Sequence, residues 1–216
     1  MPRISSKIAE LRRALPDGVK LVAVSKFHPL DALQEAYAAG QRRFGESRAD
    51  ELAAKAAAMP ADVEWHFIGH LQTNKVRRVV GCASVIESID SERVLRAVSA
   101  EAVRAGREIA VLLQVHVAAE ETKTGFAPEE IPAAARLGAT LPGVRIAGVM
   151  GMATNTADTA RIADDFRAIA AAGRNLCEII PGATEVSMGM SGDWPLAVAQ
   201  GATLVRIGST IFGERC

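Results

Sequence analysis

Residues 19–40 read VKLVAVSKFHPLDALQEAYAAG and contain one complete strand-and-helix unit. Residues 19–26 (VKLVAVSK) form a short apolar run rich in β-branched side chains, which predicts a buried strand. The stretch after it predicts a helix, with Pro29 near its amino terminus and Gly40 just past its carboxyl terminus. The same alternation of a short strand and an Ala-rich helix continues to the end of the chain.

The chain contains eight such strand candidates, at residues 19–26, 43–46, 63–69, 83–89, 109–117, 144–152, 184–189 and 203–208. Repeated βα units in 216 residues are typical of a closed parallel barrel, in which right-handed helical crossovers join successive strands. We therefore predict an α/β fold made of a single (β/α)8 TIM barrel, with an open doubly wound sheet as the alternative. Residues 5–15 (SSKIAELRRAL) predict an extra N-terminal helix, and residues 1–216 are interpreted as one domain.

The composition is that of a globular protein, and its charge balance predicts no affinity for polyanions. Hydrophobic residues make up 49% of the chain, and 25 basic residues balance 25 acidic ones. This balance argues against nucleic acid or anionic lipid as a partner, and no apolar run is long enough for a membrane span. The three cysteines lack a C-x-x-C spacing, so neither disulfides nor a metal site is indicated. Because the start of the chain lacks a signal-peptide pattern, we expect a cytoplasmic protein.

Chemically capable residues follow several predicted strands, at the end where parallel barrels carry their active sites. Lys26 ends the first strand, and a desolvated amine there could form a Schiff base with a carbonyl, although a lysine that extends to solvent has the same pattern. Gly208, Ser209 and Thr210 follow the last strand in a turn suited to a phosphate, with an ordinary helix-capping turn as the alternative. SMGMSGDW, residues 187–194, is a second such turn and contributes Ser187 and Ser191.

A ligand with both an aldehyde and a phosphate would span Lys26 and these turns, and pyridoxal 5′-phosphate (PLP) is such a ligand. Met150 would form part of a soft apolar wall against the planar ring, although filling of the core explains a methionine equally well. Arg206 lies two residues before Gly208, so strand alternation places it inside the barrel. A buried arginine needs a partner, and the candidates are the phosphate, the pyridine nitrogen or a carboxylate such as Glu46.

Five motifs in order, AVSK, RFGES, WHFIGHLQTNK, SMGMSGDW and VRIGSTIFGER, closely resemble the pyridoxal phosphate homeostasis protein family over nearly the whole chain. The resemblance implies a barrel like the N-terminal domain of alanine racemase, with PLP held as a Schiff base on Lys26 and with Glu46 and Ser47 at the site. It also implies a carrier or regulator in vitamin B6 homeostasis, without an established reaction. Three positions depart from the family pattern: Ser47 replaces Asn, His70 replaces Pro, and His116 replaces Asn.

The remaining question is whether the protein carries PLP or catalyses a reaction with it. In alanine racemase the second base is a tyrosine from a further domain, whereas Tyr37, the only tyrosine here, falls in the helix after the first strand and the chain ends at Cys216. We therefore expect a non-catalytic, monomeric PLP-binding protein, with apo-PLP enzymes as possible recipients. A PLP-dependent amino-acid racemase or lyase is one alternative, and a phosphate-binding aldolase-type barrel is another.

Two further residues are interpreted from their positions in the sequence. His66, in WHFIG, is interpreted as a packed barrel histidine with an internal hydrogen bond, and a role in the pocket is the alternative. Lys123 falls in a polar loop after the fifth strand, where contact with a ligand or partner stays open.

Overall fold

Eight parallel strands alternate with helices along the chain, in a computed structural model that describes residues 4–118 and 124–213. The strands are β1 Lys20–Val24, β2 Arg43–Glu46, β3 Glu64–Phe67, β4 Val85–Ile89, β5 Ile109–Val115, β6 Val144–Gly151, β7 Glu185–Ser187 and β8 Leu204–Ile207. The α-helices are α1 Ile4–Ala14, α2 Leu30–Ala38, α3 Ala49–Ala58, α4 Val76–Cys82, α5 Glu92–Arg104, α6 Ile131–Thr140, α7 Thr159–Ile179, α8 Trp194–Ala199 and α9 Ser209–Phe212. Short 3-10 helices, Thr73–Lys75 and Pro128–Glu130, precede α4 and α6.

The sheet closes on itself through the pairing of β1 with β8. Every strand pairs in parallel with its neighbours in sequence, and the β1–β8 register aligns Lys20 with Leu204 and Ala23 with Ile207. The predicted (β/α)8 barrel is confirmed, and the open doubly wound sheet is excluded. β7 is only three residues long, and its register with β8 aligns Ser187 with Leu204.

The helix ends follow the sequence signals. The predicted N-terminal helix is α1, which buries Ile8 and Leu11 and packs against α2 and α9 on the outside of the barrel. Pro29 is the N-cap residue of α2, and Ser91 caps α5 by accepting a hydrogen bond from the Val94 N–H. Pro fits a helix start because the first N–H groups have no partner inside the helix, and the Ser hydroxyl supplies one of the missing acceptors.

The first strand is shorter than the sequence predicted. β1 ends at Val24, and the His28 N–H donates to the Ser25 carbonyl at 3.1 Å, so the chain turns immediately. Phe27, within this turn, has a φ of 68°, in the left-handed region that is unfavourable for a bulky side chain. Lys26 therefore lies in a tight turn at the mouth of the barrel rather than on the strand.

Strand alternation divides the buried side chains between the outside and the inside of the sheet. Val205 and Ile207 belong to the large apolar cluster, to which the helices also contribute, while Arg206 between them points into the barrel. The predicted inward direction of Arg206 is therefore confirmed. The middle of the barrel is polar, because four buried side chains meet there: His66, Glu87, Ser187 and Arg206.

A bulge at Gly148 interrupts the alternation on β6. The register between β5 and β6 shifts after Val111, and as a result Ala147 and Met150 both join the small apolar cluster inside the barrel. Gly148 has a φ of 155°, and a Cβ atom added there would lie 1.9 Å from the Glu185 carbonyl oxygen. Only glycine fits this close approach of two strands. The bulge brings Met150 to the inner face near the carboxyl end of the barrel.

Candidate functional site

A cleft of about 310 Å³ opens at the carboxyl end of the barrel. Six residues predicted for the site line this cleft: Lys26, Met150, Ser191, Arg206, Gly208 and Ser209. They come from the loops or strand ends of β1, β6, β7 and β8, so residues far apart in sequence meet at one mouth. Val24, Ile68 and Met152 add apolar surface, and His28 stacks on Phe212 at one edge with ring centroids 5.0 Å apart.

The turn that carries Lys26 is anchored by side chains of α3. The Phe27 N–H donates to Glu51 Oε1 at 2.6 Å, and Lys55 Nζ donates to the Ser25 carbonyl at 2.8 Å. These two bonds hold the backbone on either side of Lys26. They also explain how Phe27 keeps its unfavourable φ, since the surrounding contacts determine the backbone there.

Lys55 is a buried cation beneath this turn. Besides Ser25, its ammonium group contacts Glu46 Oε1 at 2.8 Å and Glu51 Oε1 at 2.7 Å. Burial raises the pKa of Glu46 above its ordinary value, although hydrogen bonds from Lys55 and Ser25 act in the opposite direction. Glu46 is fully buried and does not line the cleft, so the structure places it under the Lys26 turn rather than against a ligand.

Two backbone amides and a hydroxyl converge at the last turn. The N–H groups of Gly208 and Thr210 point at Ser191 Oγ, at 3.3 and 3.4 Å. A Cβ atom on Gly208 would come within 3.2 Å of the Val24 carbonyl oxygen, so the backbones of β1 and this turn approach closely. Amides that face one point in this way can bind an anionic oxygen. The Thr210 side chain is absent from the cleft lining, and it is the N–H group of this residue that points at Ser191 Oγ.

Arg206 forms the floor of the cleft and is held from below. Its Nη1 donates to the Ser187 carbonyl at 2.8 Å and to Ser187 Oγ at 2.5 Å, and its Nη2 donates to the Gly151 carbonyl at 2.9 Å. Ser187 is fully buried and does not line the cleft, which corrects the prediction that it assists at the phosphate turn. Its hydroxyl faces the barrel interior because it lies on the inward side of β7.

The carboxylate beside Arg206 is Glu87, not Glu46 as one interpretation of the sequence proposed. Glu87 Oε2 lies 3.6 Å from Arg206 Nη1 and accepts from Ser187 Oγ at 2.6 Å, while Glu87 Oε1 lies 2.6 Å from His66 Nδ1. Burial by itself raises the pKa of Glu87, but hydrogen bonds from His66 and Ser187 and the charges of His66 and Arg206 together lower it. Burial lowers the pKa of Arg206, because it disfavours the charged guanidinium, although the negative charges of Glu87 and Asp193 act in the opposite direction.

Glu87 and Lys55 were not among the residues predicted for the site, although both carry a recognisable signal. Glu87 is a single acidic residue inside the apolar strand VIESI, on the same inward side as Val85. Lys55 lies four residues after Glu51 on α3, a spacing that favours an ion pair on one helix face. The interpretation of His66 as a buried histidine with an internal hydrogen bond is confirmed.

The other predicted positions lie away from the cleft lining. Ser47 follows β2 and is absent from the lining. His70 is exposed, and its Nδ1 lies 2.9 Å from Asp90 Oδ2. Tyr37, on α2 at the outside of the barrel, donates a hydrogen bond to Asp62. His116 does not line the cleft, and its Nδ1 has no hydrogen-bond partner among the residues described. Lys123 lies outside the described residues.

The described ranges hold no group of three or more His, Cys, Asp or Glu side chains arranged to bind a metal ion. Among the helices in these ranges, none is both long and apolar enough to cross a membrane.

Comparisons with known proteins agree with this fold. A family profile described as the N-terminal domain of alanine racemase matches residues 1–216. Alanine racemase from Clostridium difficile 630 superposes with a TM-score of 0.82 at 14% identity, over 98% of this chain and 56% of the racemase, which is a similarity of fold alone.

Two relatives are closer in sequence. A pyridoxal phosphate homeostasis protein from Pseudomonas aeruginosa is 37% identical over 218 residues, covering 99% of this chain and 93% of the relative. PipY from Synechococcus elongatus PCC7942 has been solved with PLP bound and without it, and is 39% identical with a TM-score of 0.90 over 98% of this chain and all of PipY.

Proposed function

Because the chain belongs to the pyridoxal phosphate homeostasis protein family, which shares the barrel of the alanine racemase N-terminal domain, we propose that it binds PLP in the cleft at the carboxyl end of the barrel and serves PLP homeostasis. The observation that carries this proposal is the meeting of Lys26, Arg206 and the Gly208 turn at one cleft. PipY, a relative of 39% identity, has been solved with PLP bound.

The residues of the cleft fit the parts of PLP. When bound, PLP supplies an aldehyde that condenses with an amine, and Lys26 is the amine at this mouth. The N–H groups of Gly208 and Thr210, with the hydroxyls of Ser191 and Ser209, would hold the phosphate. Met150 and Met152 would give the flat ring an apolar wall, and Arg206 would meet the ligand from the floor of the cleft.

We further propose that the protein holds PLP without strong catalysis of its own. Arg206 is a permanently charged donor with no proton acceptor. Opposite the pyridine nitrogen it would disfavour protonation of the ring, and so limit the ability of the ring to accept electrons. Release to apo-PLP enzymes, a monomeric state, a cytoplasmic location and a single domain over residues 1–216 remain predictions.

The first test concerns Lys26. After incubation with PLP and borohydride reduction, intact mass and peptide mapping should find one stable adduct, on the Lys26 peptide. Lys26→Ala should lose the adduct and keep its fold. The control is Lys75→Ala, whose half-buried side chain lies away from the cleft, and this variant should keep both. An adduct on another lysine of the wild-type protein would refute this assignment. Turnover of any amino acid that depends on Lys26 would overturn the carrier function.

The second test concerns the phosphate. A Ser191→Ala, Ser209→Ala double variant should bind PLP at least about tenfold more weakly, because charge-assisted hydrogen bonds contribute about 1.5–3 kcal/mol each. Binding of pyridoxal, which lacks the phosphate, should stay nearly unchanged and serves as the control ligand. Equal losses for both ligands would show that these hydroxyls do not recognise the phosphate.

A further inference from the structure

The polar side chains inside the barrel form a continuous hydrogen-bonded chain that begins at the cleft. Arg206 on β8 donates to Ser187 Oγ on β7 at 2.5 Å, Ser187 Oγ lies 2.6 Å from Glu87 Oε2 on β4, and Glu87 Oε1 lies 2.6 Å from His66 Nδ1 on β3. Four strands each contribute one inward side chain. These hydrogen bonds therefore connect opposite parts of the barrel wall.

Hydrogen-bond chemistry fixes the direction of each donation in this chain. A guanidinium can only donate, so the Ser187 oxygen accepts from Arg206 and its O–H must donate to the Glu87 carboxylate. The ionised Glu87 can only accept, so His66 donates from Nδ1. Both Glu87 oxygens are then satisfied, and the carboxylate lies 3.6 Å from the guanidinium as its counter-charge.

His66 is at the far end of this series of hydrogen bonds and cannot touch a ligand in the cleft. It lines a second cavity of about 340 Å³ at the amino-terminal ends of the strands, and it is absent from the lining of the cleft. The charged residues on the wall of this second cavity are Lys20, Arg43, Glu64, Arg145 and Glu185. His66 is almost completely buried, and its Nε2 has no hydrogen-bond partner in the described part of the chain.

We propose that Glu87, Ser187 and His66 are positioning residues for Arg206, and that they set where its charge lies against the ligand in the cleft. Burying the guanidinium without a carboxylate partner would cost free energy. Without the hydrogen bonds that orient it, the guanidinium could also adopt other positions at the floor of the cleft. Ser187 fixes one edge of the guanidinium, Glu87 balances its charge, and His66 orients the Glu87 carboxylate from the opposite side. This inference rests on the proposed binding of PLP.

The experiment uses the full chain loaded with PLP and measures three quantities. These are the borohydride adduct at Lys26, the dissociation constant of PLP, and the pH midpoint at which the absorbance of bound PLP changes. Glu87→Gln keeps the shape of the side chain and removes its charge, and Glu92→Gln removes a charge from an exposed position of α5 as the control. Ser187→Ala is a second variant in case Glu87→Gln does not fold.

Glu87→Gln should raise the dissociation constant at least about fivefold and move the absorbance midpoint to lower pH by about half a unit or more, since an unbalanced guanidinium disfavours protonation of the ligand. Glu92→Gln should change neither. His66→Leu should weaken binding at least about threefold, whereas His66→Asn, whose amide can donate as Nδ1 does, should restore wild-type binding. A purely structural role would lower stability and leave the midpoint unmoved.

Two results would overturn the inference while leaving the proposed function intact. One is a wild-type adduct at Lys26 with an unchanged dissociation constant and midpoint in Glu87→Gln and Ser187→Ala. The other is His66→Asn as damaging as His66→Leu. Absence of any adduct at Lys26 in the wild-type protein would instead refute the proposed function, and this inference with it.

Discussion

Two buried glutamates of the barrel have pKa values shifted in opposite directions, and their hydrogen bonds explain the difference. Lys55 and Ser25 both donate to Oε1 of Glu46, and its Oε2 has no hydrogen-bond partner among the described residues. Glu87 has a donor at each oxygen and a guanidinium nearby. Burial therefore dominates at Glu46 and raises its pKa, whereas the partners dominate at Glu87 and lower its pKa.

These shifts predict opposite pH trends in stability for two variants. The raised pKa of Glu46 means that its favourable contribution is complete below about pH 4.5 and is lost as the pH rises through the folded-state pKa. The lowered pKa of Glu87 means that its contribution is present above about pH 4.5 and is lost as the pH falls through the folded-state pKa. Relative to wild type, Glu46→Gln should therefore gain stability, and Glu87→Gln should lose it, as the pH rises.

Urea unfolding of the ligand-free proteins between about pH 3.5 and 7 measures both trends. Glu92→Gln serves as the control for removal of an exposed carboxyl group. The same sign of slope for the two buried variants would contradict the assignment of their partners.

At the scale of single residues, sequence reasoning found the side chains that line the cleft better than those that support it. Lys26, Gly208 and Ser209 follow strand ends, and that position is recognisable in one strand and its loop. Glu87 and Ser187 are 100 residues apart, and their contact depends on how far each strand is staggered around the barrel. The sequence of a single strand does not reveal this stagger. The inward direction of Arg206 could therefore be predicted, but its carboxylate partner could not.

Among the elements, β6 shows how a single bulge shapes the site. Without the bulge at Ala147 and Gly148, strict alternation would send either Ala147 or Met150 outward. Both belong to the inner cluster, and Met150 also lines the cleft. The sequence predicted β6 as one uninterrupted strand, because a bulge glycine in an apolar run looks the same as an ordinary small residue.

Gly148→Ala should lower the free energy of unfolding by at least about 2 kcal/mol, because its Cβ would collide with the Glu185 carbonyl oxygen and its φ of 155° is unfavourable for alanine. Gly182→Ala is the matched control, since no heavy atom lies within 4 Å of its added Cβ and its φ is not in the left-handed region. Urea unfolding of the ligand-free proteins gives both values. A loss below about 0.5 kcal/mol for Gly148→Ala would contradict the tight β6–β7 approach.

For the molecule as a whole, the cleft lies over the seam where the barrel closes. Val24 and Lys26 line it from the β1 side, and Gly208 and Ser209 line it from the β8 side. Sequence reasoning predicted the eight strands and their order, because each βα unit is a local pattern. The identity of the neighbours across the seam follows only from closure, which pairs the first strand with the last.

A ligand bonded on both sides of this seam should stabilise the whole barrel against unfolding. At a free PLP concentration of about 100 times its dissociation constant, the free energy of unfolding should rise by about 2.7 kcal/mol, and the slope of the urea transition should stay the same. At that same PLP concentration Lys26→Ala should lose most of this gain, because the covalent bond from the β1 side of the seam is absent. Pyridoxal should stabilise the wild-type protein less than PLP does, because it lacks the phosphate. The Lys75→Ala control should keep the full effect. Equal stabilisation of wild type and Lys26→Ala would mean that the ligand does not bridge β1 and β8. Among the cleft residues described, Lys26 is the only one on the β1 side that could bond covalently to the ligand.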